Sequence, residues 1–150
     1  MRGANWPAAA VGLRHSPAAP VIWLIKFAMC SMMPRSEALP GIVDTDLDGF
    51  LQRMKHDAEP LYWLGLVLGG VLFAVTPVLT VWVPLPAFFL SRRLLALHTE
   101  RILTHRLYLL RQAVYLVRLS AGMCWGADPA VRAKLALAPY GADPGTFRTS

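Results

Sequence analysis

Leu61–Leu90 reads LYWLGLVLGGVLFAVTPVLTVWVPLPAFFL, thirty consecutive positions without an Asp, Glu, Lys, Arg or His. A helix with that much unbroken apolar surface has no face to turn toward water, so it belongs in a bilayer or inside a core. A hydrocarbon layer of about 30 Å takes about 20 apolar residues at the helical rise, and the segment 61–83 is long enough for one tilted crossing. Pro84 and Pro86 then stop it, and Pro77 kinks it, leaving a carbonyl that Thr76 or Thr80 is placed to satisfy. Two alternatives compete. A buried helix in a soluble core is disfavoured because helices of this length without a polar face are rare in so small a chain; a re-entrant hairpin breaking near Pro77 would have arms too short to cross and both flanks on one side. The fold expected is an all-α membrane protein, with one kinked transmembrane helix, an amphipathic basic helix and short capped helices.

Composition points the same way. The chain is 55% hydrophobic and 16% charged, with a mean hydropathy of +0.44, outside the usual soluble balance. Its 15 Lys and Arg against 9 Asp and Glu give a net charge of +6, which suits either nucleic acid or anionic lipid. Position decides between them: Arg92, Arg93, Arg101, Arg106, Arg111 and Arg118 follow the apolar run, whereas Asp44, Asp46, Asp48, Asp57 and Glu59 precede it. That asymmetry is a positive-inside pattern and argues against a nucleic-acid partner; it predicts a bacterial inner-membrane location with the C-terminal side cytoplasmic.

Outward from the run, the chain divides into five parts. Residues 1–31 resemble a poor signal segment: the run VIWLIKFAMC is short, Lys26 interrupts it and no cleavage pattern follows, so the segment reads as an extension without function. Residues 32–60 form a soluble acidic arm with a helix over about Asp46–Asp57, opened by capping-box spacing at Thr45 and Asp48. The membrane segment occupies 61–90, a basic amphipathic helix 91–125 and a tail 126–150. In the tail, Asp128 and Pro129 start a short helix through Leu137, and the tetrapeptide Gly-Ala-Asp-Pro recurs at Gly141–Pro144, where a turn is expected.

Candidate chemistry is sparse. Asp44–Gly49 reads DTDLDG, the first half of a calcium loop, but Lys55 stands where a bidentate Glu is required, so an acidic helix start is the better account and no metal is expected. Cys30 and Cys124 would lie on opposite sides of a span and are not expected to pair. No phosphate loop, nucleophile elbow or oriented histidine appears, so the sequence predicts no catalytic residue and no cofactor. Gly65 and Gly69 have the spacing of a helix-packing motif, which favours a helix partner or a homo-oligomer.

Beyond the prolines, Leu103, Leu107, Leu110, Val114, Val117 and Ala121 alternate at spacings of four and three. Arg111 and Arg118 flank that seam, and each would cost about 2.5–3.5 kcal/mol at the centre of a bilayer, which argues against a second crossing. The seam and its two arginines are therefore the candidate surface for membrane lipid or a protein partner, with packing against the chain's own membrane helix the competing possibility.

Ala87–Tyr140 also resembles a known group. Phe88 and Phe89 after the prolines, an Arg-bearing helix, then RLYLLRQAVYLVRLSAGMCWGADPAVRAKLAL and Tyr140 are similar to the small region preceding the flavin domain of long-chain fatty alcohol oxidases and dehydrogenases, and to small companion proteins of such enzymes. Arg106, Leu110, Arg111, Asp128, Pro129, Val131 and Arg132 carry the match. The flavin-binding domain has no counterpart here. The resemblance implies a non-catalytic membrane anchor or accessory subunit of a flavoprotein oxidoreductase of the glucose–methanol–choline type. An independent small integral membrane protein that self-assembles or regulates another is the alternative.

Overall fold

Proline cuts the apolar run before it reaches the length of a bilayer. The computed structural model describes residues 20–138, all helices and connecting turns: α1 (Pro20–Met32), α2 (Leu47–Asp57), α3 (Pro60–Val75), α4 (Pro77–Thr80), α5 (Arg92–Leu103), α6 (Tyr108–Ala127) and α7 (Pro129–Lys134), with single 3₁₀ turns at Ile42–Asp44 and Ala87–Phe89. The second Gly-Ala-Asp-Pro copy and Tyr140 lie outside the described residues. Glu59–Pro60 opens α3 with proline in the first turn, where its missing N–H costs nothing. Pro77 does the same for α4, so α3 stops at Val75 and Thr76 joins the two. At 16 residues, α3 is about 24 Å long, short of a hydrocarbon core of about 30 Å.

The expected transmembrane helix over 61–83 is thereby overturned. Among the described residues, no helix is long and apolar enough to cross a membrane. The other long helix, α6, carries Arg111 and Arg118, and the rest of the apolar run is spent on α4 and the proline-stiffened turns to Leu90. What the run does instead is pack: α3 lies between α1 and α6 and gives the core Leu66, Gly69, Gly70, Phe73 and Ala74.

Residues 20–31 belong to this core as well. Read as an appendage, the segment forms α1, and Ile25, Ala28 and Met29 are fully buried. Lys26, which seemed to interrupt an apolar run, reaches Asp48 at the start of α2 and joins the two elements with an ion pair. Cys30 and Cys124, expected on opposite sides of a span, sit in one buried cluster as free thiols.

The long basic helix predicted over 91–125 is two helices. α5 ends at Leu103, the Leu107 N–H is taken by the His105 ring at 3.2 Å, and α6 starts at Tyr108. Thr104 contributes to the break by turning its hydroxyl back on the Glu100 and Arg101 carbonyls, both at 3.3 Å. The acidic arm follows its local chemistry one residue late. Asp46, not Thr45, caps α2 by accepting the Gly49 N–H at 3.0 Å, while Thr45 donates to the Ile42 carbonyl. At the other end Asp128 accepts the Ala130 and Val131 N–H groups at 2.9 and 3.2 Å, but α7 closes at Lys134, short of Leu137.

Candidate functional site

Two glycines decide how closely α3 meets α6. A Cβ on Gly69 would stand 2.3 Å from the Ala113 carbonyl oxygen and 2.6 Å from Val117 Cγ2, so the backbones touch at this level. One turn earlier, a Cβ on Gly65 would meet only the Cδ2 end of Leu116, at 2.7 Å. Nearly one turn before Gly65, Tyr62 donates to Ser120 Oγ at 2.7 Å, and Ser120 in turn donates to the Leu116 carbonyl at 2.9 Å, giving the apolar contact a polar register point. The helix partner expected for Gly65 and Gly69 is thus α6 of the same chain.

That contact redistributes the predicted docking seam. Leu110, Val114, Val117 and Ala121 face inward against α1 and α3, and Val114, Val117 and Ala121 are fully buried. Leu103, on α5, packs against the same core, whereas Leu107 precedes α6 and is exposed. Arg118 is exposed and Arg111 half-buried, its guanidinium 5.6 Å from the Tyr108 ring centre in a cation–π contact. The seam is the inner face of α6, and the surface open to a partner is the opposite one: Tyr108, Tyr115, Leu119 and Met123 are all exposed there. Met33, Tyr115, Arg118, Leu119, Gly122 and Met123 line a shallow open groove of about 330 Å³ on this side.

Beneath the other end of α3 lies a polar cluster that no spacing announced. Pro77 has no N–H, so the Phe73 carbonyl four residues back loses its helical donor. His98 of α5 replaces it, its Nε2 donating to that oxygen at 2.9 Å, while Nδ1 accepts the Thr80 hydroxyl at 2.5 Å. Thr76, the residue expected to help, instead donates to Leu72 O at 2.6 Å, and Arg101 closes α4 by donating to the Thr80 carbonyl at 2.7 Å. His98 is fully buried against the Phe73 ring, centroids 4.7 Å apart. Burial lowers its pKa below the ordinary histidine value, and the bond to the Phe73 carbonyl opposes that only in part. With both nitrogens engaged, a neutral ring fits, and the cluster braces the proline break.

The other reactive groups are also held. Burial pushes the Cys30 thiol up to about 11 and raises that of Cys124, so neither presents a thiolate at neutral pH. The three carboxylates of the calcium-like segment turn to different partners: Asp44 to Arg35 and the Gly41 N–H, Asp46 to the Gly49 N–H, and Asp48 to Lys26. Arg35 holds the Asp44 carboxyl below its ordinary pKa. Among the described residues, no group of His, Cys, Asp and Glu is placed to hold a metal ion. No family model, curated protein or solved structure matches the chain.

Proposed function

We propose that the chain is a non-catalytic accessory subunit of a flavin-dependent alcohol dehydrogenase or oxidase, and that it docks on that enzyme through the outer face of α6. The observation that carries the proposal is the composition of that face. Tyr108, Tyr115, Leu119 and Met123 stand exposed beside Arg111 and Arg118; Tyr, Met and Arg are enriched at protein interfaces, and Tyr and Arg among the residues that dominate their binding energy. The face falls within the segment that resembles the region preceding the flavin domain of fatty alcohol oxidases. A supporting role fits the sealed state of His98 and of both thiols.

Co-expression with a glucose–methanol–choline flavoprotein from the same source, followed by affinity capture of this chain in mild detergent, tests the proposal. The captured complex should show a flavin spectrum. Tyr115→Asp with Leu119→Asp should weaken it by about thirtyfold, the loss of one hot spot worth about 2 kcal/mol, with helicity unchanged because both side chains are exposed. A colourless chain running alone or as a homo-oligomer would overturn it.

A further inference from the structure

α3 has no polar face, yet the fold covers only the side that meets α1 and α6. Leu61, Leu64, Leu68 and Val75 fall on the opposite side at spacings of three, four and seven, and are 79%, 59%, 50% and 56% exposed. Beyond the Thr76 break, Leu79 of α4 and then Trp82, Leu85 and Phe89 are exposed as well, up to the start of α5. A helix apolar all round is stable when covered, and a patch of this extent marks an interaction surface.

Charge indicates what covers it. From Pro60 to Thr99 there is no carboxylate, and the only charged side chains are Arg92 and Arg93, both exposed in the first turn of α5. Cations there oppose the helix macrodipole. Trp82 sits at φ 57, a left-handed conformation costly for a residue with a side chain, and its indole is 81% exposed. Pro84 and Pro86 stiffen the turn that follows, which lowers the entropy lost on binding. The stripe offers no polar group that would fix the register of a protein partner, and a fluid lipid surface needs none. An apolar helix face, an exposed indole and two exposed arginines, with no carboxylate between Glu59 at the α3 N-cap and Glu100 of α5, together complement an anionic bilayer.

We propose that α3, α4 and the turns to Phe89 seat the protein on an anionic phospholipid surface, α3 lying in the plane of the interface and Arg92 and Arg93 reaching lipid phosphates. The seat is distinct from the α6 face and does not depend on the identity of any enzyme partner.

Co-sedimentation of the full chain with vesicles of phosphatidylcholine alone, or mixed with phosphatidylglycerol, tests this. Binding to the mixed vesicles should be at least about thirtyfold tighter and should weaken with salt. Arg92→Gln with Arg93→Gln should cost about thirtyfold on mixed vesicles only, whereas Arg92→Lys with Arg93→Lys should retain binding. Leu64→Gln with Leu68→Gln should cost about a hundredfold on both. Equal binding to the two vesicle types, indifference to both Gln pairs, or self-association in place of vesicle binding would overturn the proposal.

Discussion

Gly69→Ala is expected to destabilise the protein by about 2–3 kcal/mol, while Gly65→Ala, one turn away on the same helix face, leaves it neutral or slightly more stable. Alanine gains helix propensity at both positions, by up to about 1 kcal/mol, so the difference between them lies in what the new methyl meets. At Gly69 it meets the Ala113 backbone carbonyl at 2.3 Å, and neither helix can yield without moving α3 and α6 apart. At Gly65 it meets the end of the Leu116 side chain, which can rotate away. Denaturant unfolding of the two variants measures this directly. Equal effects would mean that the helices do not approach at Gly69.

His98→Phe should cost about 3 kcal/mol, because a ring of similar size without nitrogens leaves the Phe73 carbonyl buried and unpaired. The Thr80 hydroxyl loses less, since the Thr76 and Pro77 carbonyls stand 3.4 Å away. If His98 does stand in for the N–H that Pro77 lacks, then Pro77→Ala, which restores a donor at that position, should shrink the His98→Phe penalty by about 1 kcal/mol in a double-mutant cycle. A fixed penalty would assign the His98 contribution to packing alone. The same residue gives a pH signature. Its folded pKa lies below the unfolded value of about 6.5, so the unfolded chain takes up the proton first. The stability it supplies is complete above that value and is lost as pH falls through it toward the folded pKa. His98→Phe should remove that part of the pH dependence.

Features set by neighbouring residues were legible in the sequence. Asp128-Pro129 is a helix start because an acceptor side chain and a fixed φ act within one turn, and α2 was found with its cap displaced by one residue. The seam through Leu110, Val114, Val117 and Ala121 was visible from its period. What covers it was not, since lipid, a partner and the chain's own helices all select the same pattern. The transmembrane reading failed for a related reason: a charge-free run is common to a crossing helix and to a core helix whose outer face is apolar too. Lys26 reads as an interruption because its partner Asp48 is 22 residues away, and His98 reads as a histidine that nothing orients because Phe73 and Thr80 are 25 and 18 residues away. Such pairings exist only after the helices have packed.

The most direct test is whether the chain before and after the apolar run lies on one side of a membrane. In a Cys30→Ala, Cys124→Ala background, single cysteines placed at the exposed positions Gln52 of α2 and Ala96 of α5 report the two flanks to a membrane-impermeant maleimide. A helical bundle built around α3 predicts that both positions react together, from the same side of sealed vesicles or cells. Labelling of one from outside and of the other only after lysis would contradict it and restore a crossing between them.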